Sequence, residues 1–102
     1  MEALITVLPG DGIGAEVCGA GVQSLERIAE VYGHHFKFSE QLIGGAGIDA
    51  TGSPFPDETR ASCKESNAVM LGAVGGPKWS GPNAAIRPEQ GLLALRAELE
   101  VF

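Results

Sequence analysis

Residues 4–33 read LITVLPGDGIGAEVCGAGVQSLERIAEVYG, and the change of period inside this stretch decides the fold class. Leu4–Leu8 is a nearly continuous apolar run ended by Pro9-Gly10, the pattern of a strand covered on both faces in a parallel sheet. The glycines of Gly10–Gly14 then give a turn. From Ala15 onward, Val17, Gly21, Leu25, Ile28 and Tyr32 recur on one helical stripe, while Glu16, Gln23, Glu26, Arg27 and Glu30 mostly lie elsewhere. Gly33 closes that helix. Strand, glycine turn and helix together open an α/β fold with parallel strands and flanking helices.

Working outward, His35–Glu40 (HFKFSE) alternates and places Phe36 and Phe38 on one face, as a half-buried strand does. Gly44, Gly45 and Gly47 predict a loosely structured stretch, followed by a helical turn at Ile48-Asp49-Ala50 and a loop over Thr51–Pro56. Pro56 suits a first helical position, and Asp57 and Glu58 suit the positive helix end, so a short helix runs to about Glu65. Ala68–Val74 (AVMLGAV) is a second buried strand and Gly75–Asn83 a loop. Arg87-Pro88-Glu89 opens a last helix with Leu92, Leu95, Leu99 and Phe102 on a common stripe. With no glycine, asparagine or proline closing that helix, the sequence reads as the opening portion of a longer protein.

At 102 residues the chain matches one small domain, able to bury roughly 60–68% of its unfolded surface. Hydrophobic residues at 44% and charged residues at 20% describe a soluble globular chain, since a disordered one has too little apolar surface to offset its ordering entropy. No run approaches the 18 or so apolar residues of a membrane span, and the first residues lack a basic cluster, which makes the cytoplasm the expected location. A net charge of −6 argues against nucleic acid. The charge is uneven, however: residues 1–50 hold seven acids against two cations, and residues 51–102 six against five. Cys18 and Cys63 have no metal-ligand or redox spacing and read as buried small hydrophobes, while His34 and His35 read as solvent-facing turn residues.

Two readings stand for the first glycine turn. Gly10-x-Gly12-x-x-Ala15 satisfies a dinucleotide fingerprint, with Glu40 as the ribose acid. Glu40 nevertheless lies farther on than the usual ~20 residues. The other reading is a tight strand-to-helix turn in which glycines provide positive φ angles and close packing, with Asp11 capping the helix or bonding to the turn.

The second informative segment is GAVGGPKW at 72–79 followed by IRPEQGLLALR at 86–96. It combines a glycine-rich turn, cations, one carboxylate and a short apolar face, a mixture suited to an anionic substrate with a greasy end. Each residue also has a plainer reading: Arg96 as a last-turn helix cation, Leu92, Leu95 and Leu99 as core, Glu89 as a carboxylate at a helix N-terminus, Lys78 as a solvated loop cation.

Together, LPGDGIGAEV at 8–17, GGAGIDATGSPFPDET at 44–59, GAVGGPKW at 72–79 and IRPEQGLLALR at 86–96 resemble the opening of the isocitrate/isopropylmalate dehydrogenase family, on its isopropylmalate branch. The resemblance covers nearly the whole chain and implies the N-terminal part of that family's large domain, an α/β fold that is not Rossmann and binds NAD through loops. It implies NAD-dependent oxidation and decarboxylation of 3-isopropylmalate to 2-oxoisocaproate in leucine biosynthesis, by a cytoplasmic homodimer. It also implies Mg2+ or Mn2+, with metal ligands beyond these residues, as are the remaining arginine, tyrosine and lysine of the site. A related enzyme acting on isocitrate, homoisocitrate or tartrate is the nearest alternative, and a non-catalytic assembly module built on GLLALRAELEVF a more distant one.

Carried over residue by residue, the resemblance implies that Arg96 clamps a substrate carboxylate with its planar donor fork. Leu92, with Leu93 in support, meets the isopropyl group, worth roughly 1.5–3 kcal/mol when buried. Glu89, the loop Gly75, Gly76, Pro77, Lys78 and Trp79, and more weakly Ile13 face the cofactor. No residue here is assigned as catalytic or as a metal ligand, so the 102-residue chain alone is expected to be inactive. SGPNAA at 80–85 is the least family-like stretch, where relatives carry more charge.

Overall fold

The computed structural model describes residues 2–76, 78 and 86–100. Three parallel strands form one sheet in the order β2-β1-β3: β1 spans Glu2–Gly10, β2 His35–Glu40 and β3 Ala68–Ala73. Ile5 lies opposite Phe38 and Ala68, and Val7 opposite Glu40 and Met70, so the central strand is the first one in sequence. Four helices surround it: α1 (Gly14–Tyr32), α2 (Gly44–Thr51), α3 (Asp57–Glu65) and α4 (Glu89–Leu99). The α/β class, the parallel sheet and the flanking helices are those the sequence predicts.

The alternation of β1 feeds two cores. Ile5 and Val7 meet Cys18 of α1, with Val22, Leu25, Phe36, Phe38 and Met70 packed around them. Leu8, on the other face, meets Ile43, Phe55, Cys63 and Leu95, with Val69, Leu71, Val74, Ala94 and Leu99 at the margin. Thr6 is fully buried on that second face, its hydroxyl bonded to Ser62 Oγ at 2.8 Å, so the one polar residue of the apolar run is satisfied by α3. Both cysteines are buried and free, as expected.

Four expectations need correction. The inward stripe of α1 is buried Gly14 and Cys18 with half-buried Gly21, Val22 and Leu25; of the expected stripe, Val17, Ile28 and Tyr32 are exposed, Tyr32 at 72%. Apolar residues flank both sides of the true stripe, and the sheet selects the narrow side where small residues allow close approach. His34 does not face solvent: its ring stacks between Tyr32 and Phe36 at centroid distances of 6.5 and 5.8 Å. The glycine-rich stretch at 44–47 is the first turn of α2, despite glycine's poor helix propensity. Finally, α4 is closed at Glu100, which adopts φ 55. Phe102, assigned to the α4 stripe, lies outside the described residues.

Main chain meets main chain at the carboxyl end of β1. A Cβ on Gly72 would stand 2.8 Å from the carbonyl oxygen of Gly14, and one on Gly14 would stand 2.9 Å from the nitrogen of Ala73 and clash with the Pro9 carbonyl. A Cβ on Gly10 would collide with the Ala73 carbonyl. These glycines let β1, α1 and β3 converge, which favours the close-packing reading of the first glycine turn over the phosphate-binding one.

Candidate active site

Parallel strands put all three carboxyl ends on one edge of the sheet, where open α/β folds place their ligands. The segments after β1 and β3 emerge there side by side, since these strands are neighbours. Ile13 sits at the start of α1, 65% exposed with no apolar cover. Gly75 and Gly76 follow β3 and are half-buried.

Asp11 organises this edge. Its side chain does not cap α1, whose cap residue Ile13 offers no side-chain bond. Instead Oδ2 accepts the N–H of Gly45 at 2.7 Å and of Gly75 at 2.9 Å, while Oδ1 accepts the N–H of Ala46 at 2.7 Å. The carboxylate is 6% exposed, and no lysine, arginine or histidine among the described residues pairs with it. Its charge is met by amides at the positive end of α2. This explains how a helix beginning Gly-Gly forms at all. Gly44 must be small for the same reason, because a Cβ there would lie 2.7 Å from Asp11 Oδ2.

Glu89 stands in the first turn of α4, but its carboxylate does not cap the helix; Gln90 Oε1 takes the Arg87 N–H at 3.1 Å instead. Glu89 forms no hydrogen bond or ion pair among the described residues. Its Oε1 lies 2.9 Å from where a Cβ on Gly75 would be, so the structure brings these two predicted residues together. Lys78 is held elsewhere: Nζ contacts both carboxylate oxygens of Asp49 near the end of α2, at 3.1 and 3.0 Å. The sequence offered no signal for that pairing, because Asp49 lies 29 residues upstream. Pro77 and Trp79 lie outside the described residues.

Helical geometry sets Glu89, Leu92, Leu93 and Arg96 on an arc of about 100°. The opposite side of α4 buries Gly91 and Leu95, and Gly91 packs against Pro54 and Ile43. Leu93 is therefore 62% exposed, Leu92 half-buried, and Arg96 exposed without an ion pair among the described residues. A carboxylate, two leucines and an arginine thus form one accessible face. Leu95 and Leu99 go to the core, as the plainer reading of the leucine stripe has it.

A cleft of about 700 Å3 opens elsewhere, between the end of β2 and the α2–α3 connection. Glu40, Asp57 and Glu58 line it without a cation, a poor setting for an anionic substrate. Among the described residues no three histidine, cysteine or carboxylate side chains gather as a metal site. The described residues therefore do not fit a divalent ion by themselves. After β3 the half-buried Gly75 lies beside the Glu89 carboxylate, its own N–H taken by Asp11.

The chain is similar to known proteins in sequence and in fold. A family model described as isocitrate/isopropylmalate dehydrogenase matches residues 4–102. The 3-isopropylmalate dehydrogenase of Bacillus licheniformis is 54% identical over all 102 residues, and that of Anaeromyxobacter dehalogenans 55%. The chain spans 28% and 29% of the length of those curated relatives. Among solved structures, a β-decarboxylating dehydrogenase from Thermococcus kodakarensis in its apo form superposes with a TM-score of 0.73 at 30% identity, over 95% of this chain and 26% of that one. An isocitrate dehydrogenase from Methylococcus capsulatus gives 0.61 at 29%, over 80% and 23%. With one family model across nearly every residue and relatives above half identity along its whole length, the chain belongs to the isocitrate/isopropylmalate dehydrogenase family.

Proposed function

We propose that these residues form the N-terminal part of the large domain of an NAD-dependent 3-isopropylmalate dehydrogenase and supply one wall of its active site. The observation that carries the reading is the α4 face, where Glu89 reaches the Gly75 main chain and Leu93 and Arg96 stand exposed. Arg96 binds a malate carboxylate through its fixed donor fork, and Leu92 and Leu93 pack against the isopropyl group. Glu89, Gly75, Gly76 and Ile13 line the cofactor side, joined by Pro77, Lys78 and Trp79 of the same loop. NAD, when bound, supplies the hydride acceptor. Glu89 places a negative charge where the oxidised nicotinamide is positive, and the leucines exclude water from the reacting carbon.

Mg2+ or Mn2+ belongs to the same reading with its ligands outside these residues, and no step is assigned through it here. The resemblance also supports a cytoplasmic homodimer as the working form. No described helix is long and apolar enough to cross a membrane.

A chimera tests the assignment. Residues 1–102 replace the aligned part of the Bacillus licheniformis relative, and NAD reduction is followed with 3-isopropylmalate, isocitrate and tartrate. Turnover led by 3-isopropylmalate is expected. A folded chimera that prefers isocitrate refutes the substrate, and one that turns over none refutes the function.

A further inference from the structure

The clamp at Asp11 reaches beyond helix capping. Two of its three bonds go to α2, and the third goes to Gly75, 64 residues along the chain. The Asp11 main chain is tied to β3 as well, its N–H donating to the Ala73 carbonyl at 2.7 Å. One buried residue therefore fixes the last residue of β3 through its backbone and the following loop through its side chain.

We propose that Asp11 is a positioning residue for the cofactor: its carboxylate holds the Gly75 N–H against the N-terminus of α2, and so sets the loop that meets the dinucleotide beside Glu89. This rests on reading Gly75 and Gly76 as cofactor-facing. Three features support it. The carboxylate is 6% exposed, so water does not substitute for it. Its partners are backbone amides, whose position moves the chain itself. The Gly75 φ of 105 lies in a region that glycine enters freely but does not select by itself, so the bond from its N–H to Asp11 helps to fix it. A second tie, Lys78 to Asp49, holds the same loop to α2, making that helix the seat of the loop.

The test uses the chimera described above with Asp11→Ala, Asp11→Asn and, as a control for lost stability alone, Cys63→Ala in the core on α3. A bond to a charged group is worth about a tenfold effect or more, so Asp11→Ala raises KM for NAD on the order of tenfold. KM for 3-isopropylmalate moves less than about twofold. Asp11→Asn keeps one oxygen for Gly75 and recovers part of the NAD affinity. Cys63→Ala lowers the melting temperature but leaves KM for NAD unchanged.

An unchanged KM for NAD in Asp11→Ala overturns the proposal. So does a parallel change in both KM values that Cys63→Ala reproduces. If Asp11→Ala fails to fold, amide exchange at Gly75 in Asp11→Asn decides, with acceleration expected and protection equal to the unsubstituted chimera overturning the clamp. Absence of NAD turnover in the unsubstituted chimera refutes the functional reading instead, and the exchange measurement still judges the clamp.

Discussion

Residue 75 is constrained twice, by a φ of 105 that L side chains avoid and by the Glu89 carboxylate 2.9 Å from any Cβ. Gly75→Ala is expected to destabilise by at least about 1 kcal/mol in a chemical melt of the chimera. Adding Glu89→Ala relieves the collision but leaves the backbone strain, so the double variant recovers only part of the loss. At position 96 the outcome concerns binding. Arg96→Lys keeps the charge but loses the planar fork, and KM for 3-isopropylmalate rises roughly tenfold while KM for NAD holds. The thiols behave differently again. Burial raises the pKa of Cys63, and burial followed by the nearby Glu40 charge raises that of Cys18, leaving both as unreactive thiols at neutral pH. Alkylation in native buffer is expected to be slow and to accelerate only on unfolding. The burial of both cysteines was legible from sequence, because neither has the spacing or the histidine neighbours of a metal or redox site. The role of Asp11 was not: a carboxylate between two glycines suggests a local cap, and nothing nearby points to amides 34 and 64 residues away.

Strands were easier to read than helices. LITVL is apolar but for Thr6, AVMLGA is apolar throughout, and HFKFSE alternates cleanly, so the three strands appear near where the pattern places them, although β1 runs on through Pro9-Gly10. For α1 the extent was legible, since Gly33 takes the left-handed cap with φ 72, but its inward face was not. Val, Ile and Tyr occupy more of the circumference than the sheet can cover, and the choice among faces is a tertiary one. The first turn of α2 was hidden because the charge that stabilises it comes from Asp11 in the β1–α1 turn. Between α3 and α4 an ion cluster adds a pH response. The hydrogen bond and charge of Lys64, at 2.7 Å, with Arg60 at 3.9 Å, hold the Glu98 carboxyl below its ordinary value. A lowered folded pKa means that the unfolded chain binds more protons. The contribution is thus complete above the ordinary carboxylate value of about 4.3 and is lost as pH falls through the folded value. The melting-temperature difference between the chimera and its Glu98→Gln variant is expected near neutrality and to vanish in acid.

The whole molecule leaves both sheet edges uncovered by another strand among the described residues, and the two edges differ. β2 carries Lys37 and Glu40, charges that discourage further pairing, whereas AVMLGA of β3 carries none. With Val17, Ile28, Val31 and Tyr32 exposed on α1 as well, the 102 residues produced alone are expected to self-associate. Sedimentation velocity across a concentration series checks this, and a monomer at every concentration contradicts it. The same preparation is expected to show no metal-dependent NAD reduction, since no acid–base set or metal site is assembled among the described residues. The family could be read from four dispersed motifs, three of which follow the carboxyl ends of β1, β2 and β3 while the fourth opens α4. The depth of the wall could not, because it depends on Glu89 meeting Gly75, 14 residues earlier in the chain.

The convergence of Gly10, Gly14 and Gly72 has an evolutionary consequence. Each of these residues abuts main-chain atoms, so no second substitution can make room for a larger side chain. Gly21 is different: its neighbour is the flexible end of Met70, 3.1 Å from a Cβ, and trimming Met70 would accommodate alanine. In a library of paired substitutions, intolerance at 10, 14 and 72 would therefore be independent of background, while intolerance at 21 would be rescued by a partner.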